Sequence, residues 1–251
     1  MIRFWLSLLY FSLSHCFLLA EKVHSNEREW SSLSRKYTNL EHVSTLRISQ
    51  NPEDVAAYSS RGDARMFWGQ FIGARGDDEN MIELDPKLNV SHWRLGIAYF
   101  YLSDFTKAAR QFEIYHQYDD VDRENGIWKF MSQYMEKGLG VARQGLLHYK
   151  KDDRPPYPWL YEMFAGNCKP VDVFRRINEA KYQKYYETRV LFHAHLYVGI
   201  FLELTGDSPK EALAHLRKAA ENEYGRSTGT YMWQIARLHY TRLLSLPKPG
   251  H

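Results

Sequence analysis

Two pairs of small residues recur at one interval. Gly62 is answered by Gly96 and Ala74 by Ala108, each 34 positions on, and Pro86 stands where the first interval closes. Small residues kept in phase let two helices approach side by side, so the interval predicts a helix, a tight turn and a second helix in each unit. The prolines at 52, 86, 155, 156, 158, 170, 209, 247 and 249 fall between segments of helical period, and no strand-length run alternates strictly. This punctuation reads as all α.

The first unit covers 52–86, and the phrase Glu83-Leu84-Asp85-Pro86 ends it. Arg61, Arg65 and Asp78 stand where apolar residues are commoner, and an arginine paired with Asp78 is the expected compensation. The second unit, 87–120, sets Leu95, Gly96, Tyr99, Ala108 and Phe112 in register, with Ser103-Asp104 as turn and helix cap. A third, 122–153, repeats Trp93, Leu95 and Tyr99 as Trp128, Phe130 and Tyr134, then turns at Lys137-Gly138-Leu139-Gly140. A shorter pair follows at 159–165 and 170–185. The last strong pair spans 189–222, with Gly199, Ala212, Leu216 and Ala219 in register, and 230–244 forms a capping helix.

This register is that of the tetratricopeptide repeat. The expected fold is an all-α TPR solenoid of stacked antiparallel helix pairs over 52–245, behind a helical cap at 21–51 and ahead of a disordered tail at 246–251. Gly62, Ala74, Pro86, Leu95, Gly96, Tyr99, Ala108, Phe112, Gly199 and Ala212 are the residues assigned to packing between helices.

Residues 1–20 carry one basic residue, Arg3, and then an apolar run to Ala20. A secretory signal peptide cleaved after Ala20 is the first reading, with a membrane anchor and a buried helix as its alternatives. Leu13-Ser14-His15-Cys16 is similar to a lipoprotein box, with His15 in place of the usual small residue, which makes Cys16 the lipidation candidate. If the leader is cut, Cys168 is the remaining cysteine and has no internal disulfide partner. The 33 basic and 30 acidic side chains balance closely, so charge marks no nucleic-acid partner, and membrane contact is expected only through the N-terminal segment.

The order of Arg94-Leu95-Gly96-Ile97-Ala98, a tryptophan-bearing third unit, a short pair broken at Phe164-Ala165-Gly166-Asn167 and then Tyr197-Val198-Gly199 resembles bacterial envelope lipoproteins of the NlpI type. The resemblance covers 52–244 and implies an exported or periplasmic adaptor, membrane-anchored, that binds envelope hydrolases or proteases and forms a homodimer. It implies no cofactor and no chemistry of its own.

Repeats of this kind face a concave groove with fixed positions of the first helix. Here those positions hold Trp93, Ile97, Phe100 and Tyr101 in the second unit, Met66 and Phe67 in the first and Trp128 in the third. An aromatic groove for protein or peptide partners is therefore expected, burial under a neighbouring helix and a dimer seam being the alternatives. The Lys, Arg and Asn that would grip a carboxylate tail are missing from those positions.

His193-Ala194-His195 places its two rings on opposing sides of a helix, so no metal site is expected there. A dyad of Cys168 with a distant histidine would need the fold to bring them together, and the two Arg-Gly-Asp tripeptides at 61–63 and 75–77 fall inside helices. No paired carboxylates, nucleophile motif, zinc helix or phosphate loop stands in recognisable context, so no catalytic residue is assigned. An envelope-bound enzyme with a site illegible in sequence is the competing class.

Overall fold

The computed structural model describes residues 31–245; the leader, Cys16 and the 246–251 tail lie outside the described residues. Every regular element among the described residues is helical. Helix α1 covers residues 31–50. It precedes α2 (Val55–Phe67), α3 (Phe71–Leu84), a 3-10 turn at Pro86–Ser91, α4 (Trp93–Tyr101) and α5 (Phe105–Tyr118). Next come α6 (Arg123–Gln144), α7 (Tyr157–Ala165), α8 (Pro170–Glu179), α9 (Lys184–Thr205), α10 (Pro209–Ala220), α11 (Glu223–Thr228) and α12 (Tyr231–Ser245).

Adjacent helices pair as α2 with α3, α4 with α5 and α9 with α10. At each of these seams a small residue meets a larger one. A side chain added at Gly96 would put its Cβ 2.7 Å from the Phe112 ring, and one at Gly199 would sit 2.8 Å from Leu216 Cγ. Ala74, Ala108 and Ala212 are buried at the matching points, as are Leu95 and Tyr99, while Pro86 opens the 3-10 turn at the surface. Helices α2 and α6 begin where side chains supply the missing acceptors: Asp54 takes the Ala57 N–H at 3.0 Å, and Asp122 takes the Glu124 N–H at 3.0 Å.

The seam of the first pair is ionic. Arg61 and Arg65 both reach Asp77, at 2.7 and 2.9 Å, and Arg65 also holds Glu41 of α1 at 2.9 Å. The expected arginine partner Asp78 is therefore off by one residue: Asp78 faces His92 at 3.2 Å instead. Neighbouring residues on a helix differ by about 100° in direction, and here that rotation turns Asp77 toward α2 and Asp78 toward the next unit.

The third unit departs from the regular pattern. Gly138 adopts φ 80° and ψ 178°, breaking α6 within the expected turn, and the second helix is shortened to the few residues that follow it. The loop that follows runs into α7 through a cis Pro155-Pro156 bond. The expected helix over 170–185 also divides, since α8 ends at Glu179, Lys181 takes a positive φ of 48°, and α9 starts at Lys184. No helix among the described residues is long and apolar enough to cross a membrane.

Candidate binding site in the inner groove

The groove expected to be open is closed partly by its own aromatics and partly by α12, the last described helix. Met66, Ile97, Phe100, Tyr101 and Trp128 are at most 7% exposed, while Phe67 and Trp93 are half-buried. Phe100 meets Trp128 edge-on at 5.3 Å, and Tyr101 stacks on Phe71 at 4.9 Å. Met66, Ile97, Phe100 and Tyr101 therefore line no free surface, whereas Trp93 and Trp128 border one cavity and Phe67 another. The correction has a simple cause: the stack curves until α12, which packs on α10, also reaches α2 and the inner aromatics of α4.

Tyr231 heads this contact. Its ring stands edge-on to both Phe67 and Trp93, each with ring centres 4.8 Å away. The Arg94 guanidinium lies over the Trp93 and Tyr231 rings and binds Asp63 at 3.0 Å. Burial nonetheless pushes the Asp63 carboxyl up to about 6, against the opposing pull of Arg94. Further along α12, His239 bridges two other helices, its Nδ1 lying 3.0 Å from the Tyr101 hydroxyl and its Nε2 on the Glu203 carboxylate. Burial alone would raise Glu203, but the His239 hydrogen bond and the nearby charges of His239 and Arg242 outweigh it and hold the carboxyl below its usual range. Trp233 completes the fastening by donating its indole N–H to Ala220 O at 2.8 Å.

Where α12 begins, part of the groove remains as a cavity of about 270 Å³. Its lining includes Trp93, Glu124, Trp128, Arg154, Arg189, His193, Tyr224 and Tyr231. Helical spacing explains the arrangement. Glu124 and Trp128 lie one turn apart on α6, and Arg189 and His193 lie one turn apart on α9, so each helix sends two side chains to one side. Trp128, Glu124 and His193 are buried and make the floor, while Trp93, Arg189 and Tyr224 are half-buried and lie nearer solvent.

A chain of hydrogen bonds runs beneath that floor. The Trp128 indole donates to the Tyr197 hydroxyl at 3.2 Å, and Tyr197 donates to Glu124. The Tyr157 hydroxyl lies 2.8 Å from His193 Nδ1, and it also stabilises the ionised Glu124 carboxylate. Burial, then the charge of Asp122, pushes Glu124 up to about 7 despite these donors and Arg154. His193 moves the other way, down to about 3, because burial and the charges of Arg154 and Arg189 disfavour its cation. A neutral imidazole whose Nδ1 is taken by Tyr157 leaves Nε2 as the ring nitrogen available to a guest.

Charge in the cavity is divided. Arg154 lies 3.0 Å from Asp153, 3.6 Å from Glu124 and 3.9 Å from Asp122, so one cation faces three carboxyl groups. Arg189 lies over the Tyr224 ring, and no carboxylate lies within ion-pair distance of it among the described residues. Trp93 and Trp128 were expected in a groove, but the charged residues Glu124, Arg154 and Arg189 and the buried His193 beside them were not. The signal that could have found this cluster was an acidic residue one turn before a tryptophan, at the start of the helix that bears it.

The remaining sequence candidates separate. His193 turns toward Tyr157, whereas His195 meets His215 at 2.8 Å beside the Phe174 ring, so the pair shares no partner. Cys168 Sγ lies 3.6 Å from Trp159 O, and burial raises its thiol. In the Arg-Gly-Asp copies, Arg61 binds Asp77 and Asp63 binds Arg94. Outside the groove, a cleft of about 300 Å³ is lined by Phe67, Trp68, Gly69, Phe71, Leu238, Thr241 and Arg242, next to the exposed Ile72.

No family model matches the chain. The Hsp70-Hsp90 organizing protein of Triticum aestivum is 28% identical over 106 residues, which is 41% of this chain and 18% of that protein. The likeness is partial and distant. Together with the paired helices it gives the fold as a tetratricopeptide-type stack.

Proposed function

We propose that this chain is a non-catalytic, exported scaffold that holds protein partners in a bacterial cell envelope. The observation that carries the scaffold reading is the continuous stack of paired helices, an architecture whose extended faces serve binding. The partial likeness to a protein named for organizing two others supports the same class. Export and the envelope rest on the apolar leader and on the resemblance to NlpI-type lipoproteins, and with them the hydrolase or protease partners and the homodimer.

Since the inner aromatics and α12 together close much of the groove, the partner surface moves to the rim, where Trp68 and Ile72 are exposed beside the Phe67, Phe71 and Leu238 cleft. Trp68 is the anchor assigned to this surface, because binding energy concentrates in a few aromatic contacts. The test is capture from the native envelope on wild type, Trp68→Ala and Ile72→Asp, with intact-mass analysis of the envelope protein. Hydrolases or proteases retained by wild type and lost by both variants support the reading, as does a mature chain beginning at Glu21. Equal recovery on all three would sink the rim surface, and a native chain beginning at Met1 would sink cleavage.

A second reading, an envelope-bound enzyme, is favoured by one observation: Glu124, Tyr157 and His193 meet beside a cavity with shifted proton affinities. Turnover of envelope polymers by the pure protein, abolished in Glu124→Gln, would select it over the scaffold.

A further inference from the structure

We infer that the cavity at the start of α12 is a binding site for a small zwitterion of the free amino-acid class. The inference stands apart from the scaffold reading and does not depend on any protein partner.

Three properties of the cavity select the guest. Its size, about 270 Å³, lies just below the range of small-molecule sites and suits a compact molecule. Its charge is split: above about pH 7, where Glu124 is ionised, Arg154 faces Asp122 and Glu124 of the lining and Asp153 beside it, leaving negative charge in excess on that side, while Arg189 has no carboxylate partner among the described residues. Its walls are aromatic, with Trp93, Trp128, Tyr224 and Tyr231 around the opening and floor. A guest with one positive and one negative group answers both ends, whereas a guest carrying a single charge leaves one end unanswered.

In this arrangement the guest carboxylate lies against the Arg189 guanidinium, which can bind it through two parallel N–H donors. The guest ammonium faces the Asp122 and Glu124 side, where the carboxylates attract it. Nε2 of His193 accepts one ammonium hydrogen, and the guest's side chain takes the remaining aromatic space. No bond to the guest is made or broken.

The probes are L-phenylalanine and L-leucine, with phenethylamine and 3-phenylpropionate as analogues that keep a single charge. They are added to the full chain while thermal unfolding and tryptophan fluorescence are followed. At about 10 mM, a hundredfold over a Kd of about 100 μM, the favoured amino acid should raise Tm by several degrees. It should also change the emission of Trp93 or Trp128, and both single-charge analogues should bind at least about tenfold more weakly, one power of ten in Kd. Arg189→Met removes a half-buried guanidinium that lies over the Tyr224 ring and makes no ion pair among the described residues; the variant should keep the wild-type Tm without a guest and lose that affinity. No response to either amino acid, an equal response to one single-charge analogue, or unchanged affinity in Arg189→Met would overturn the site. Partner capture is read separately, so its failure leaves these results intact.

Discussion

Glu124 shows how one buried group ties the fold to pH. Its carboxyl titrates at about 7 in the folded chain against an ordinary 4.5, so the folded state holds the proton over that interval and the unfolded state does not. Its contribution to stability is complete below 4.5 and is lost as pH rises through about 7. Glutamine imitates the protonated acid. Glu124→Gln should therefore match wild type near pH 4 and exceed it above pH 7 by about 3 kcal/mol, seen as a Tm difference that grows with pH. His193 runs oppositely, since a histidine lowered to about 3 loses stability as pH falls below 6.5. A Tm difference that stayed flat from pH 4 to 8 would remove Glu124 from this role. At Gly96, by contrast, no charge is involved: Gly96→Leu drives a side chain into the Phe112 ring and should cost about 1–3 kcal/mol at every pH, by denaturant unfolding.

Among the elements, the helix pairs were legible because their signal is local. Gly62 against Asp77, Gly96 against Phe112 and Gly199 against Leu216 each need a small residue at one phase of one helix, and that phase is visible in the sequence. The choice between Asp77 and Asp78 was not, because it depends on how α3 is rotated between two neighbours. The inner aromatics were placed on the correct helices, yet their covering by α12 depends on the summed rotation of every preceding pair. The Glu124, Tyr157, Tyr197 and His193 cluster was missed for a related reason: it joins three helices far apart in sequence. If Tyr231 fastens α12 as described, Trp93→Ala and Tyr231→Ala should each cost about 3 kcal/mol or more. Combined, they should fall short of additivity by about 0.5–1.5 kcal/mol, the coupling of an aromatic pair, measured in a double-mutant cycle.

At the level of the molecule, the contact of Tyr231 with Phe67 changes what kind of object this stack is. An open array of repeats behaves as a line, each unit touching only its neighbours, and its two ends can fray alone. Here the last described helix meets the first repeat pair, so the line becomes a ring. Loosening the C-terminal helix must also unseat Phe67, Trp93 and Tyr101, and a single transition should replace end fraying. Native-state hydrogen exchange is expected to protect α12 and α2 to a similar degree, and ending the chain at Gly229 should lower protection in α2; protection there left unchanged would mean the ends are independent. Ring closure carries a kinetic cost as well. The residues that close it are separated by most of the folded chain, so this contact must wait for the intervening pairs to set their curvature, and the final step of folding is the joining of the two ends.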